Sequence, residues 1–302
     1  MKPPIRPFLA AVTSSLAGLC ILIAPATAAP APQSERLIYV LQFGGLSVAD
    51  VMITLDATPS HYRSDIQLKS RGLMSMFKTF TADLHGEGEL RPTTLAATPR
   101  SFRRDIVTDD LASTLDISYD PATALATPQQ KVVNRATGEA KKEEDMPWNR
   151  RSEKVKPVPD ALRTNVLDPV AAFIAAREII RGSDTPTSFS VPIYDGKRRY
   201  NIVGKTEAPR EMTVNDKSRM LIAVKGKVEP VFGFDEKLQD KVHEGDGKIL
   251  FSADDRLLPV QIMVGNSLGV GVMNLVADCR VEAAACDAFS LGQEQAQAPV
   301  AN

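Results

Sequence analysis

The chain has 302 residues, 43% of them apolar and 24% charged, with a formal net charge of −1. That is ample apolar material for a packed core. The charge balance excludes recruitment to nucleic acid or to an anionic membrane by bulk electrostatics.

The chain opens with the basic stretch Met1-Lys2-Pro3-Pro4-Ile5-Arg6, followed by apolar and small residues from Phe8 to Ala24 and then by Ala26-Thr27-Ala28. Basic, apolar and small-x-small regions in that order form a secretory signal, and the apolar run is shorter than the about 20 residues of a spanning helix. The expectation is a signal peptide over residues 1–28 cleaved after Ala28, a tether over 29–36, and a periplasmic mature chain with no transmembrane segment. Cys20 follows Leu19, not the small residue that lipoprotein processing requires, and leaves with the signal. Cys279 and Cys286 then meet an oxidising compartment and are expected to form a disulfide. A redox or metal role would call for C-x-x-C spacing or a nearby histidine, and neither is present.

Leu37–Phe43 and Leu46–Leu55 are β-rich runs around Gly44-Gly45, the pattern of a hairpin. Further strand-like runs at 62–70, 79–90, 95–105 and 115–119 are separated by turn or proline signals, and no helix-length segment intervenes. An antiparallel meander follows from that spacing. Between 121 and 163 the chain carries Lys141-Lys142-Glu143-Glu144-Asp145, Arg150-Arg151, several prolines and Trp148 without apolar period, which reads as a disordered insertion. One helix is then expected: Asp168 caps it, Pro169 suits its first turn, Val170, Phe173, Ala176 and Ile180 recur at helical spacing, and Gly182 ends it. Strands resume at 189–193, 199–203 after the Tyr194-Asp195-Gly196-Lys197 turn, 220–228, 248–252, 259–265 and 270–277. The β domain is bounded at 37–291, and the tail over 292–302 is expected to be disordered. The fold class is mainly β: an antiparallel sheet with the helix on its concave face.

The opening strand and glycine turn (Tyr39 to Val48), the Leu90-Arg91-Pro92 step, Asn165-Val166-Leu167-Asp168-Pro169-Val170-Ala171, the Tyr194-Asp195-Gly196 turn and Leu258-Pro259-Val260-Gln261-Ile262 together resemble domain-of-unknown-function family 3108, exported proteins of Gram-negative bacteria. The resemblance runs from Leu37 to about Cys279. It implies a single strongly curved antiparallel sheet, an open barrel or β-spiral, similar in outline to periplasmic carriers of lipoprotein acyl chains. The charged insertion and the cysteine pair depart from the family pattern.

No nucleophile and base combination stands out: G-x-S-x-G is missing, and the histidines are His61, His85 and His243. The reading is therefore of no catalytic residues, no metal and no cofactor. His85-Gly86-Glu87-Gly88-Glu89 puts three potential metal ligands on one face of a strand, but it equally describes a solvated face with glycines easing curvature. Gly265, Gly269 and Gly271 lie between strands with no helix to receive a phosphate, and bends in a curved sheet explain them better. The basic groups Arg100/Arg103/Arg104 and Lys197/Arg198/Arg199 suit a solvated face or an anionic headgroup. The candidate ligand-binding residues are Leu73, Met74, Met76, Phe77 and Phe80, apolar where a loop is normally polar. They are placed at the mouth of a cavity for a lipid, a lipoprotein or an apolar peptide; plugging of the barrel by its own loop is the alternative. A scaffold that contacts an envelope protein is the second functional reading.

Overall fold

The computed structural model describes residues 33–72, 75, 79–91, 96–141, 156–183, 186–235, 245–266, 269–287 and 289. The expected signal peptide, Trp148 and the tail over 292–302 lie outside them.

Fifteen strands form one antiparallel sheet. They are β1 (Gln33–Phe43), β2 (Leu46–Ala57), β3 (His61–Ser70), β4 (Phe80–Leu90), β5 (Ala97–Thr108), β6 (Leu111–Tyr119), β7 (Ala126–Asn134), β8 (Ala140–Lys141), β9 (Ser188–Tyr194), β10 (Arg199–Thr206), β11 (Arg210–Val214), β12 (Lys217–Phe232), β13 (Asp246–Ser252), β14 (Pro259–Asn266) and β15 (Gly269–Asp278). The spatial order is β8-β7-β6-β5-β4-β3-β2-β1-β15-β14-β13-β12-β10-β9, with β11 added to β12. Most neighbours in sequence are neighbours in space; the exceptions are β1 pairing with β15, β10 pairing with β12 past β11, and β8 and β9 standing at opposite ends. Alternation drives this architecture: along β6, Leu111, Ser113, Leu115 and Ile117 are buried while the residues between them are not. Both glycines of the β1–β2 turn take positive φ, 56° at Gly44 and 82° at Gly45, as a tight hairpin requires.

The helix α1 (Pro169–Arg181) forms as its sequence dictates: Asp168 Oδ1 accepts from the backbone amides of Val170 (2.9 Å) and Ala171 (2.8 Å). A cap of this kind contributes about 1 kcal/mol. The helix buries Val170, Ala171, Ile174 and Ala175 against residues of β2, β3, β5, β6, β7 and β9. Ile180 and Phe173 meet Ile222, Val224 and Phe251.

The sheet is open, ending at β8 on one side and β9 on the other. The segment before α1 stitches those two ends together. Ala126 N donates to Arg163 O and Asn165 N to Ala124 O on the β7 side; Leu167 N donates to Pro192 O and Tyr194 N to Leu167 O on the β9 side. A sheet whose two ends share one strap must curl round on itself. α1 enters directly from that strap and packs against β9, β4 and β5.

Two expectations are corrected. The stretch 121–163 is not a disordered insertion over its described part: it carries β7, β8 and a 3-10 turn at Asp160–Leu162. β7 lies toward the sheet edge and buries only Ala126 and Val132, so its solvent side is polar and tolerates Pro128. The tether expected over 29–36 gives way at Gln33 to β1, because Glu35 is buried.

Glu35 meets the one buried cation of α1. Arg177 Nη1 and Nη2 each donate to Glu35 at 2.8 Å, and Nε donates to the carbonyl of Arg256 at 3.1 Å. The two side chains are 4% and 2% exposed, so each charge depends on the other. Beyond β15, Cys279 and Cys286 form the expected disulfide, with Cα atoms 5.7 Å apart. Cys286 packs with Ile38 and Ala277.

Candidate functional site

The inner face of β9–β14 is not filled by α1. An apolar groove of about 340 Å³ remains between the helix and these strands. One wall is helical, with Pro169, Ala172, Phe173, Ala176 and Ile180; the other is strand, with Phe189, Val191 and Ile193 of β9, Tyr200 and Ile202 of β10, Val224 and Val228 of β12, Ile249 and Phe251 of β13 and Ile262 and Val264 of β14. Lys227 and Lys248 border it only from strand positions of the opposite parity, since Val228 and Ile249 next to them face inward. The volume is at the lower end of the range of about 300–1,000 Å³ for ligand pockets.

The floor is built by register. Gly204 pairs with Gly226, Gly226 with Gly247, Gly247 with Val264, Val264 with Gly271, Gly271 with Phe43 and Phe43 with Leu46. One cross-strand row thus crosses seven strands with four glycines in it. A Cβ at Gly226 would meet nothing closer than the Val203 carbonyl oxygen at 3.5 Å, so the groove has room there. At its far end the row turns outward into solvent: Val264 is 57% exposed, Phe43 44% and Leu46 59%. These three make an apolar lip continuous with the groove.

At the β10 end stands Tyr200, whose ring meets Phe234 edge-on at 6.1 Å. The Arg198 guanidinium lies over the Phe234 ring, 5.7 Å from its centre. Arg104 approaches from β5. It shares the inward parity of buried Phe102, and its cross-strand neighbours are Leu84 and buried Leu115. Leu115 in turn abuts Gly196, where any Cβ would sit 2.6 Å from its Cδ2. Burial pushes the Tyr200 hydroxyl up and Asp195 adds to this, while the charges of Arg198 and Arg104 oppose it. The Nε atoms of both arginines are buried without a hydrogen-bond partner among the described residues.

Asp168, fully buried at the head of α1, has its pKa raised to about 6: desolvation outweighs the amides of Ala171 and Val170 that favour its charge. Tyr119 Oη donates to its Oδ2 at 3.5 Å. Tyr62 and Tyr119, close enough to feel that charge, are pushed up mainly by their own burial.

Of the five residues expected at a cavity mouth, Leu73, Met74, Met76 and Phe77 lie outside the described residues. Phe80 opens β4, half-buried, and does not line the groove. The His85, Glu87 and Glu89 side chains each have a separate partner: Asp65 at 2.7 Å, Ser101 at 3.2 Å, and Arg91 with Arg100. The intervening glycines face α1 and the core, Gly86 against Val170 and Gly88 against Tyr62. No group of three metal-ligating side chains is found among the described residues, and no helix there is long and apolar enough to cross a membrane. The groove-lining residues were not foreseen from sequence; the available signal is a mid-strand glycine flanked by inward apolar residues, as in Val224-Lys225-Gly226-Lys227-Val228.

A crystal structure from Brucella abortus, described as a beta-barrel-like protein of domain of unknown function DUF1849, is similar over 81% of this chain and 96% of that one, with 10% identity and a TM-score of 0.47. A comparison with curated proteins finds no match. The family described as Protein of unknown function (DUF3108) matches residues 38–276, most of the sheet from β1 to β15 with α1 inside it, and the chain belongs to that family.

Proposed function

We propose that this is a non-enzymatic, exported carrier that holds an apolar ligand, a lipid acyl chain, between α1 and the inner face of β9–β14. The observation that carries the reading is the glycine row: beyond Gly204, which the Phe189 ring covers, Gly226 and Gly247 leave carbon-lined space running out toward the exposed lip Val264, Phe43 and Leu46. Burying apolar surface in such a channel stabilises a bound chain by about 25 cal/mol per Å² removed from water. The basic, apolar and small-residue order of residues 1–28 and the Cys279–Cys286 bond support action in the periplasm.

Native mass spectrometry of the protein isolated from its own periplasm tests this. The expected spectrum has a stoichiometric adduct that solvent extraction recovers as lipid. Protein that is empty as isolated and takes up no added lipid would replace the carrier with a scaffold that uses the lip to contact an envelope protein.

A further inference from the structure

Two arginines near Tyr200, just beyond the residues that line the groove, have no side-chain anion partner among the described residues. Arg104 occupies an inward position in a row otherwise made of Leu84 and Leu115, and it makes no hydrogen bond or ion pair with any described residue. The residue is half-buried but its Nε is fully so, and a buried N–H donor is costly unless something accepts from it. Arg198 is in the same condition: its side chain meets only the Phe234 ring, and its Nε is buried and unpartnered. The succession Arg104, cross-strand Leu115, Gly196 and the turn carrying Arg198 brings both cations near Tyr200, whose hydroxyl feels both charges and which itself lines the groove. The two carboxylates whose charge Tyr200 feels accept from backbone amides. Asp195 accepts from the amides of Lys197 and Arg198, and Asp168 from those of Val170 and Ala171.

We propose that the ligand is a single-chain anionic amphiphile, its headgroup held between Arg104 and Arg198 beside Tyr200 and its acyl chain lying along the glycine row. The arginine fork matches a carboxylate or a phosphate, and a groove of about 340 Å³ suits one chain rather than two. This deepens the carrier reading and rests on it.

The test is calorimetric titration of the delipidated full-length mature protein with three sixteen-carbon probes: hexadecanoate, the corresponding lysophosphatidate, and uncharged hexadecanol. At least one anionic probe should bind ten-fold or more tightly than the alcohol, the change set by one or two charge-assisted hydrogen bonds, and whichever anion binds more tightly identifies the headgroup chemistry. The double variant Arg104→Gln/Arg198→Gln should lose that preference and keep its affinity for hexadecanol, with an unchanged melting curve as the control for folding. Equal binding of acid and alcohol by the native protein, or an anion preference that survives the double substitution, overturns the headgroup site while leaving the carrier standing. Binding of none of the three overturns both.

Discussion

The inner face of the sheet is used in two ways. Over β2–β7 it is packed: Val170 of α1 reaches within 3.0 Å of where a Cβ of Gly86 would stand, and a Cβ on Gly88 would be 2.4 Å from the Thr98 carbonyl oxygen and 2.7 Å from the Tyr62 hydroxyl. Over β10–β14 it is open, and a Cβ on Gly226 would make ordinary contacts. Glycine thus does opposite work in the two regions. In the first it lets a helix and a tyrosine approach the backbone; in the second Gly204 admits the Phe189 ring, but Gly226 keeps space empty. α1 packs closely on the first side; on the second Phe173 and Ile180 reach Val224 and Phe251, and the space left between helix and strands is the groove.

The largest way to break the comparison is to free α1, which both regions share. Glu35→Ala leaves Arg177 buried without its carboxylate and should lower unfolding free energy by about 3–5 kcal/mol in urea titration. Replacing both partners by methionine should recover much of that loss, because no charge is then left buried. If Glu35→Ala is silent, the helix is held by its apolar face alone.

Asp168 tests the head of the same helix. Its pKa rises from an ordinary 3.8 to about 6, so the folded protein keeps a proton that the unfolded chain has already released. Stability from this group is therefore fully present below about pH 4 and is lost as pH rises to about 6, by about 3 kcal/mol in total. Asp168→Asn keeps a capping oxygen and removes the titration. The variant should show a flatter stability profile between pH 4 and 6 than the native protein; parallel profiles would mean that the carboxyl is not desolvated.

A smaller loss is expected from Gly88→Ala, whose methyl group has to displace the Thr98 backbone or the Tyr62 ring. Overpacking of this kind costs about 1–3 kcal/mol, read as a lowered melting temperature. An unchanged melting temperature would show that the packed side is looser than its geometry.

Much of the frame is legible in the sequence. The Gly44-Gly45 hairpin, the strand spacing and the Asp168-Pro169 helix start are local signals, and each element forms where its residues say it should. β7 was hidden because a strand near an edge needs only one apolar stripe, and Ala126 and Val132 alone make too little pattern to recognise. The groove was hidden for a different reason. Gly204, Gly226 and Gly247 lie on three strands and become a floor only when β10, β12 and β13 settle into register, which no single strand records. Arg104 belonged to a basic group that reads as a surface patch, and only its shared parity with Phe102 turns it inward.

The open side gives the most direct test of the central claim, that the glycine row is a ligand channel. Gly226→Leu places a side chain on the channel floor without backbone clash and replaces a residue that weakens strands, so melting temperature should be unchanged or slightly raised. Native mass spectra of the variant and the native protein, prepared side by side from the same periplasm, then decide. The account gives a lipid adduct on the native protein and none on the variant; an equally loaded variant would contradict it.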